Sequence, residues 1–320
     1  MSALTVSLDR RRTALSRALG PAVAAAIAQP DVVEALINAD GQVWLDRVGV
    51  GLVQAGVSIP AMDREAAIRL LAHEAGDTVS PDRPMLSTIL PDSAARIQAV
   101  LPPLVDAPVL SIRKRPTRIY SLDDYVRDEI ASASQVAALR VAIGSRRNIV
   151  VAGGTGSGKT TLLNAILAEP AFLESRVVIL EDTSELQCAS PNCVQLLTKR
   201  TEPPIGMREL VQMTLRLRPD RIVVGEVRDR AALEVLKAWN TGHPGGLLTL
   251  HANSAMDALG RIEDLTLEGL HAPPKRLIAS AIDVVVFIER TLAGRRVTEI
   301  VEINGAACEP YQISNVEAGE

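Results

Sequence analysis

The chain has 320 residues, 47% hydrophobic and 22% charged, the profile of a folded protein long enough for two domains, which excludes disorder as its default state. A formal net charge of -4 removes the broad electropositive surface that binds a phosphate backbone, and 2% aromatics leave no platform for stacking bases, so direct sequence-specific nucleic-acid binding is not expected. Cys188, Cys193 and Cys308 leave one thiol over in any disulfide scheme and form no metal-ligand cluster, which fits a reducing compartment; Pro30, Asp31 and Glu34 interrupt the most hydrophobic early stretch, and the N-terminus has no signal-peptide pattern.

In chain order, Met1 to about Ala28 is predicted partly helical, with Gly20-Pro21 as a break. Val32 to Ile37, Gln42 to Arg47 and Gly51 to Ile59 read as short strands, the first two joined by the turn Asn38-Ala39-Asp40-Gly41. Ala61 to Glu74 has helical periodicity, and Arg96 to Leu101 and Val109 to Arg113 are further strands, so residues 1–115 are expected to form a small α+β domain. The polar, basic and proline-containing run from Lys114 to Ser121 is the expected linker, which places the linker and the start of the next domain in residues 116–130 and that domain's body in 131–320. The cluster Arg113, Lys114, Arg115 and Arg118 is equally readable as a solvated hinge.

From about Leu122, helices alternate with strongly apolar strands at Val177 to Leu180, Ile222 to Val224, Leu247 to Leu250 and Ile282 to Ile288. Near-continuous apolar strands of this kind predict an α/β domain whose mostly parallel sheet is buried on both faces. The run after Glu309 is short, polar and expected to be loosely held.

In such a sheet ligands lie beyond the carboxyl ends of the strands, so the residues that end each strand carry the functional expectation. After the strand Asn148 to Ala152 comes Gly153-Gly154-Thr155-Gly156-Ser157-Gly158-Lys159-Thr160, followed by a helix predicted from Thr161 to Ala168. Only Gly and Lys at these spacings let backbone N–H groups close round phosphate oxygens, with the Lys159 ammonium reaching the outer phosphates and the Thr160 hydroxyl offered to magnesium. Glu181-Asp182 ends the next strand, where a carboxylate can hold the metal or its waters, or where Thr183 and Ser184 make a helix cap. Glu226 follows Gly225, which stands where many nucleotide hydrolases carry Asp; Glu226 is expected to activate water, with a strand-end salt bridge to Arg228 as the alternative. His251 ends a further strand and either senses the terminal phosphate or caps the helix after it. His243 is expected to shape its glycine-rich loop, and His73 and His271 have no expected role.

With these positions aligned, the chain resembles the secretion-motor ATPases of type II and type IV secretion systems, and among them the conjugal-transfer members. The signatures are Gly153 to Thr160; Glu181-Asp182-Thr183 with Glu185-Leu186-Gln187; Thr214 to Asp220 leading to Gly225-Glu226-Val227-Arg228; and Lys237 to Ser254. The Gly225 departure is itself typical of that family. The resemblance implies a RecA-like P-loop NTPase domain preceded by a smaller α+β domain, a homo-hexameric ring with nucleotide bound between the domains, and ATP and Mg2+ as cofactors. It also implies an arginine from the N-terminal side reaching the phosphates, at Arg96 or Arg113. The family usually has Gly in that loop, where this chain reads Asp92-Ser93-Ala94-Ala95-Arg96. Arg216, Arg218 and Arg228 belong to family boxes as well. Inner-membrane components of a secretion or mating-pair channel are the implied partners, a cytoplasmic place peripheral to that membrane is the implied location, and hinge motion near Arg115 to Ser121 is the implied stroke. A kinase, a nucleic-acid translocase and a nucleotide-gated assembly protein without turnover are the alternative functions.

Overall fold

The computed structural model describes residues 19–89, 95–115, 119–199, 202–268, 270–291, 294–304 and 311–315. The expectations for Met1 to Ala18, Asp92 to Ala94, Arg118, Cys308 and most of the C-terminal tail fall outside them. The chain divides into two compact units, Met1–Thr117 and Arg118–Glu320.

In the first unit, helix α1 (Pro21–Ala28) starts at a proline directly after Gly20, whose φ of 82° ends the preceding chain direction. Strands β1 (Val32–Ile37), β2 (Gln42–Arg47) and β3 (Gly51–Ser58) follow, and the turn between the first two closes where the Asp40 carboxylate accepts the Gln42 N–H. Helix α2 spans Ala61–Glu74. Strand β4 (Met85–Ile89), unanticipated because Ser87 and Thr88 dilute its apolar pattern, pairs with β5 (Arg96–Val100), which pairs with β6 (Val109–Arg113). The order β3-β2-β1-β6-β5-β4 is antiparallel throughout. Its inner face sends Ala35, Ile37, Val43, Leu45, Ile97, Leu110 and Ile112 against Ala67, Ile68 and Leu71 of α2. The outer face is polar: Ser111 donates to Glu34, Gln98 donates to Ser87, and Arg96 stands directly across from Arg113.

The second unit opens with two short helices, α3 (Leu122–Arg127) and α4 (Ala133–Gly144), each begun by a reciprocal capping box, Ser121 with Asp124 and Ser132 with Gln135. Strand β7 (Ile149–Ala152), helices α5 (Lys159–Leu167) and α6 (Pro170–Leu173), and strands β8 (Val177–Glu181) and β9 (Cys193–Leu197) follow. Then come α7 (Met207–Thr214), β10 (Arg221–Val224), α8 (Ala231–Asn240), β11 (Leu247–Leu250), α9 (Ala255–Leu267) and α10 (Lys275–Ala281), and last β12 (Val284–Thr291), β13 (Gly294–Ile303) and β14 (Ile313–Asn315). The eight-stranded order is β14-β13-β12-β7-β11-β10-β8-β9. From β12 to β9 every pairing is parallel, and the strands β13 and β14 add an antiparallel edge.

Burial on both faces explains the unbroken apolar runs. Val150, Ala152, Val178 and Leu180 enter one core, with α8, α9 and α10; Ile149, Val151, Val177 and Ile179 enter the other, with α4 and α5. This is a RecA-like fold preceded by a smaller α+β unit. At the amino-terminal end of β10, Arg221 is buried beneath the sheet, with its guanidinium 4.5 Å from the Phe172 ring centre. It donates to Ser175 Oγ, the Gly245 carbonyl and the Ile143 carbonyl at the end of α4. Burial, and then neighbouring Arg146, lowers its pKa to about 10, so it stays charged at neutral pH. Cys188 and Cys193 are free thiols, and burial and then Cys188 push the Cys193 thiol up to about 12.

Candidate active site

Strand β7 delivers the chain to Gly153, where the phosphate loop begins against the last parallel strand. A Cβ at Gly153 would lie 2.1 Å from the Ile288 carbonyl oxygen of β12 and 2.6 Å from Ser157 Oγ, so only glycine fits. Gly156 and Gly158 have φ of 71° and 103°, turning the loop into the first turn of α5. Gly154, Thr155 and Gly156 face solvent, Thr160 and Thr161 are half-buried, and Ser157 and Lys159 are buried. Ser157 Oγ has no hydrogen-bond partner among the described residues. An orphaned hydroxyl beside a glycine cradle at a helix amino terminus fits a phosphate group. Lys159 Nζ donates to the carbonyls of Gly153 at 2.9 Å and Gly154 at 2.8 Å, and lies 3.4 Å from His251 Nδ1.

His251 leaves the end of β11. The lysine ammonium can only donate, so Nδ1 accepts and Nε2 carries the proton, which it gives to Glu226 Oε1 at 3.1 Å. Burial, with Lys159 and Arg228 nearby, holds the His251 pKa below the ordinary histidine value against the pull of Glu226, which keeps the ring neutral. The helix-cap alternative for His251 is filled by another residue: Ser254 Oγ accepts the Asp257 N–H at the start of α9. Glu226 Oε2 accepts from Arg228 Nη2 at 2.5 Å, so this carboxylate faces the histidine and also makes the strand-end salt bridge.

Glu181, 3% exposed, accepts the N–H groups of Glu185 and Leu186 on Oε1 and so holds the acidic turn. No helix follows it: residues 182–192 run as irregular chain, which removes the helix-cap reading of Thr183 and Ser184. A Cβ on Gly225 would sit 2.9 Å from Glu181 Cγ, so the glycine at this strand end makes room for the neighbouring carboxylate. Asp182 accepts from the Thr198 hydroxyl and lines a cavity of about 360 Å³ with Glu226, Arg228 and Lys199. His243 Nδ1 lies 3.3 Å from the Ala238 carbonyl, a contact that shapes its loop.

Lys159, His251 and Glu226 are thus in direct sequence of contact, and Glu181 packs beside the strand that carries Glu226. Arg96 and Arg113 belong to the first unit, where they are cross-strand partners on its polar face. Sequence reasoning missed Arg295 of β13, whose Nε lies 3.4 Å from the Gly156 carbonyl. The readable signal was the basic group Arg290, Arg295 and Arg296 directly after the last apolar strand.

Residues 60–310 match the family described as Type II/IV secretion system protein. The conjugal transfer protein TrbB of Rhizobium radiobacter is 47% identical over 300 residues, covering 93% of this chain and 92% of that protein. The probable conjugal transfer protein TrbB of Sinorhizobium fredii (strain NBRC 101917 / NGR234) is 45% identical over 308 residues, covering 96% and 94%. The solved structure of the Legionella pneumophila ATPase DotB has a TM-score of 0.60 at 19% identity, covering 86% of this chain and 77% of that one, a likeness of fold. The chain therefore belongs to the type II/IV secretion system protein family.

Proposed function

We propose that the chain hydrolyses ATP with Mg2+ as a homo-hexameric ring and drives a conjugal-transfer or type IV secretion channel from the cytoplasmic face of the inner membrane. The observation that carries this reading is the unbroken contact from Lys159 through His251 to Glu226 at the mouth of the phosphate loop. Among the described residues no helix is long and apolar enough to cross a membrane. The partners are then channel components of that membrane, in keeping with the conjugal-transfer relatives.

In this mechanism Lys159 leaves the Gly153 and Gly154 carbonyls for the outer phosphates, and the loop amides, with Ser157, hold the oxygens between them. Thr160, Glu181 and Asp182 are the residues that would hold magnesium, which would neutralise charge on the phosphate oxygens. Glu226 orients the attacking water and receives its proton. His251, neutral and hydrogen-bonded to Glu226, registers the departure of Lys159 as the loss of the donor to its Nδ1. Arg96 and Arg113 take the charge-stabilising part, for which a guanidinium fork is suited.

Phosphate release by the wild type, Lys159→Ala and Glu226→Gln tests the reading, with size in solution measured with and without ATP and Mg2+. Lys159→Ala is expected to abolish turnover. Glu226→Gln is expected to lower kcat by about 10²–10⁴ with ATP binding retained. An undiminished rate in Lys159→Ala would sink the assignment, and a monomer in every nucleotide state would sink the ring.

A further inference from the structure

We propose that Arg295 is a nucleotide-binding residue, a second cation in the same unit as Lys159, which the β12–β13 hairpin holds over the phosphate loop. The inference rests on the nucleotide reading above and adds a contact to it. The hairpin and the loop are packed as one body. The Ile288 carbonyl closes on Gly153, and a Cβ on Gly158 would meet Arg295 Cδ at 2.9 Å and Ile288 Cδ1 at 3.6 Å. The arginine stem therefore lies on Gly158, and its Nε points to the Gly156 carbonyl at 3.4 Å. Its charge also reaches α3, where it opposes the upward push that burial gives the Tyr125 hydroxyl.

The charge pattern of the hairpin supplies the second argument. Arg295 stands directly across from Arg290 on one face of the hairpin, while Arg296, on the other face, stands across from Glu289. Like charges facing one another on neighbouring strands destabilise the pairing unless an anion stands near them. Among the described residues Arg290 and Arg295 form no ion pair, whereas Arg147 is paired with Glu302 of the same strand β13. Arg295 is exposed, and its only hydrogen bond to a described residue uses Nε, so Nη1 and Nη2 are available to a ligand. A guanidinium in that position suits phosphate oxygens. Loop amides of this kind cradle the phosphates that a nucleoside diphosphate and triphosphate share, so the contact serves ADP and ATP alike.

The test is calorimetric titration of the full chain with ADP and with ATP, each with Mg2+, for the wild type, Lys159→Ala, Arg295→Ala, Arg295→Met and Arg295→Lys, together with nucleotide-free melting and steady-state kinetics. Arg295→Met keeps the stem on Gly158 and removes the charge. The expected result is that Arg295→Ala and Arg295→Met each weaken ADP and ATP about tenfold and raise KM to match, with kcat within about twofold, nucleotide-free Tm unchanged and part of the affinity regained in Arg295→Lys. Wild-type affinity in Arg295→Met would reduce the residue to a packing role and overturn the proposal. Loss of binding in Lys159→Ala with full affinity in both neutral Arg295 variants would overturn this assignment alone. A wild type that binds neither nucleotide would overturn it together with the reading beneath it.

Discussion

His251 stands between an ammonium and a carboxylate and is held neutral, and this gives the site a direction in pH. The folded chain resists the proton while the unfolded chain accepts it near the ordinary histidine value of 6.5. The stability that His251 contributes is therefore present above pH 6.5 and is lost as the pH falls below it, toward the lowered folded value. Thermal melts of the wild type and His251→Gln between pH 5 and 8 check this: the wild-type Tm is expected to fall more steeply on the acid side. Equal slopes would show that the ring does not titrate differently on folding. Buried Arg221 is a residue of another kind, holding charge for structure. In Arg221→Met the carbonyls of Ile143 and Gly245 lose their donor inside the fold, and about 2–4 kcal/mol of stability should go with it. The change in urea midpoint measures that loss, and a variant as stable as the wild type would refute the account.

Strand ends are the elements on which the site is built, and their legibility was uneven for physical reasons. The phosphate loop was readable because its backbone closes on the Ile288 carbonyl and turns through positive φ, which restricts its positions to glycine. Strands β7, β8, β10, β11 and β12 were readable because burial on two faces keeps their central positions apolar, Thr249 excepted, whereas the half-exposed strand β9, with Gln195, gave no such run. Gly225 was visible as a departure, yet its reason is an approach across the sheet, from Glu181 on the neighbouring strand, which no local pattern records. Strand β13 escaped notice because its Arg295, Arg296, Thr298 and Glu299 read as solvated chain, and Arg295 was missed with it. Gly225→Ala tests the approach directly. The added methyl must displace Glu181 and the turn it holds, which is expected to cost about 1–3 kcal/mol by urea unfolding and to lower turnover. Full stability and activity in that variant would mean that the carboxylate moves freely.

At the scale of the whole molecule, each unit has its own apolar core, one behind the six-stranded sheet and two flanking the eight-stranded one. Calorimetry should accordingly resolve two transitions, and nucleotide with Mg2+ should raise chiefly the one that belongs to the second unit, which carries the phosphate loop. At a hundredfold excess over Kd the stabilisation is about 2.7 kcal/mol. A single transition that shifts as a whole would show that the units melt together. In the proposed cycle, turnover also depends on a detail of Lys159. The two carbonyls that hold its ammonium are internal competitors for the cation that phosphate needs, so every nucleotide that enters must displace them and every product that leaves hands the lysine back. The grip on nucleotide is weakened by the fraction of time the lysine spends at home. Product escape is helped by the same exchange, and where escape sets the pace of a cycle, a looser grip makes a faster engine.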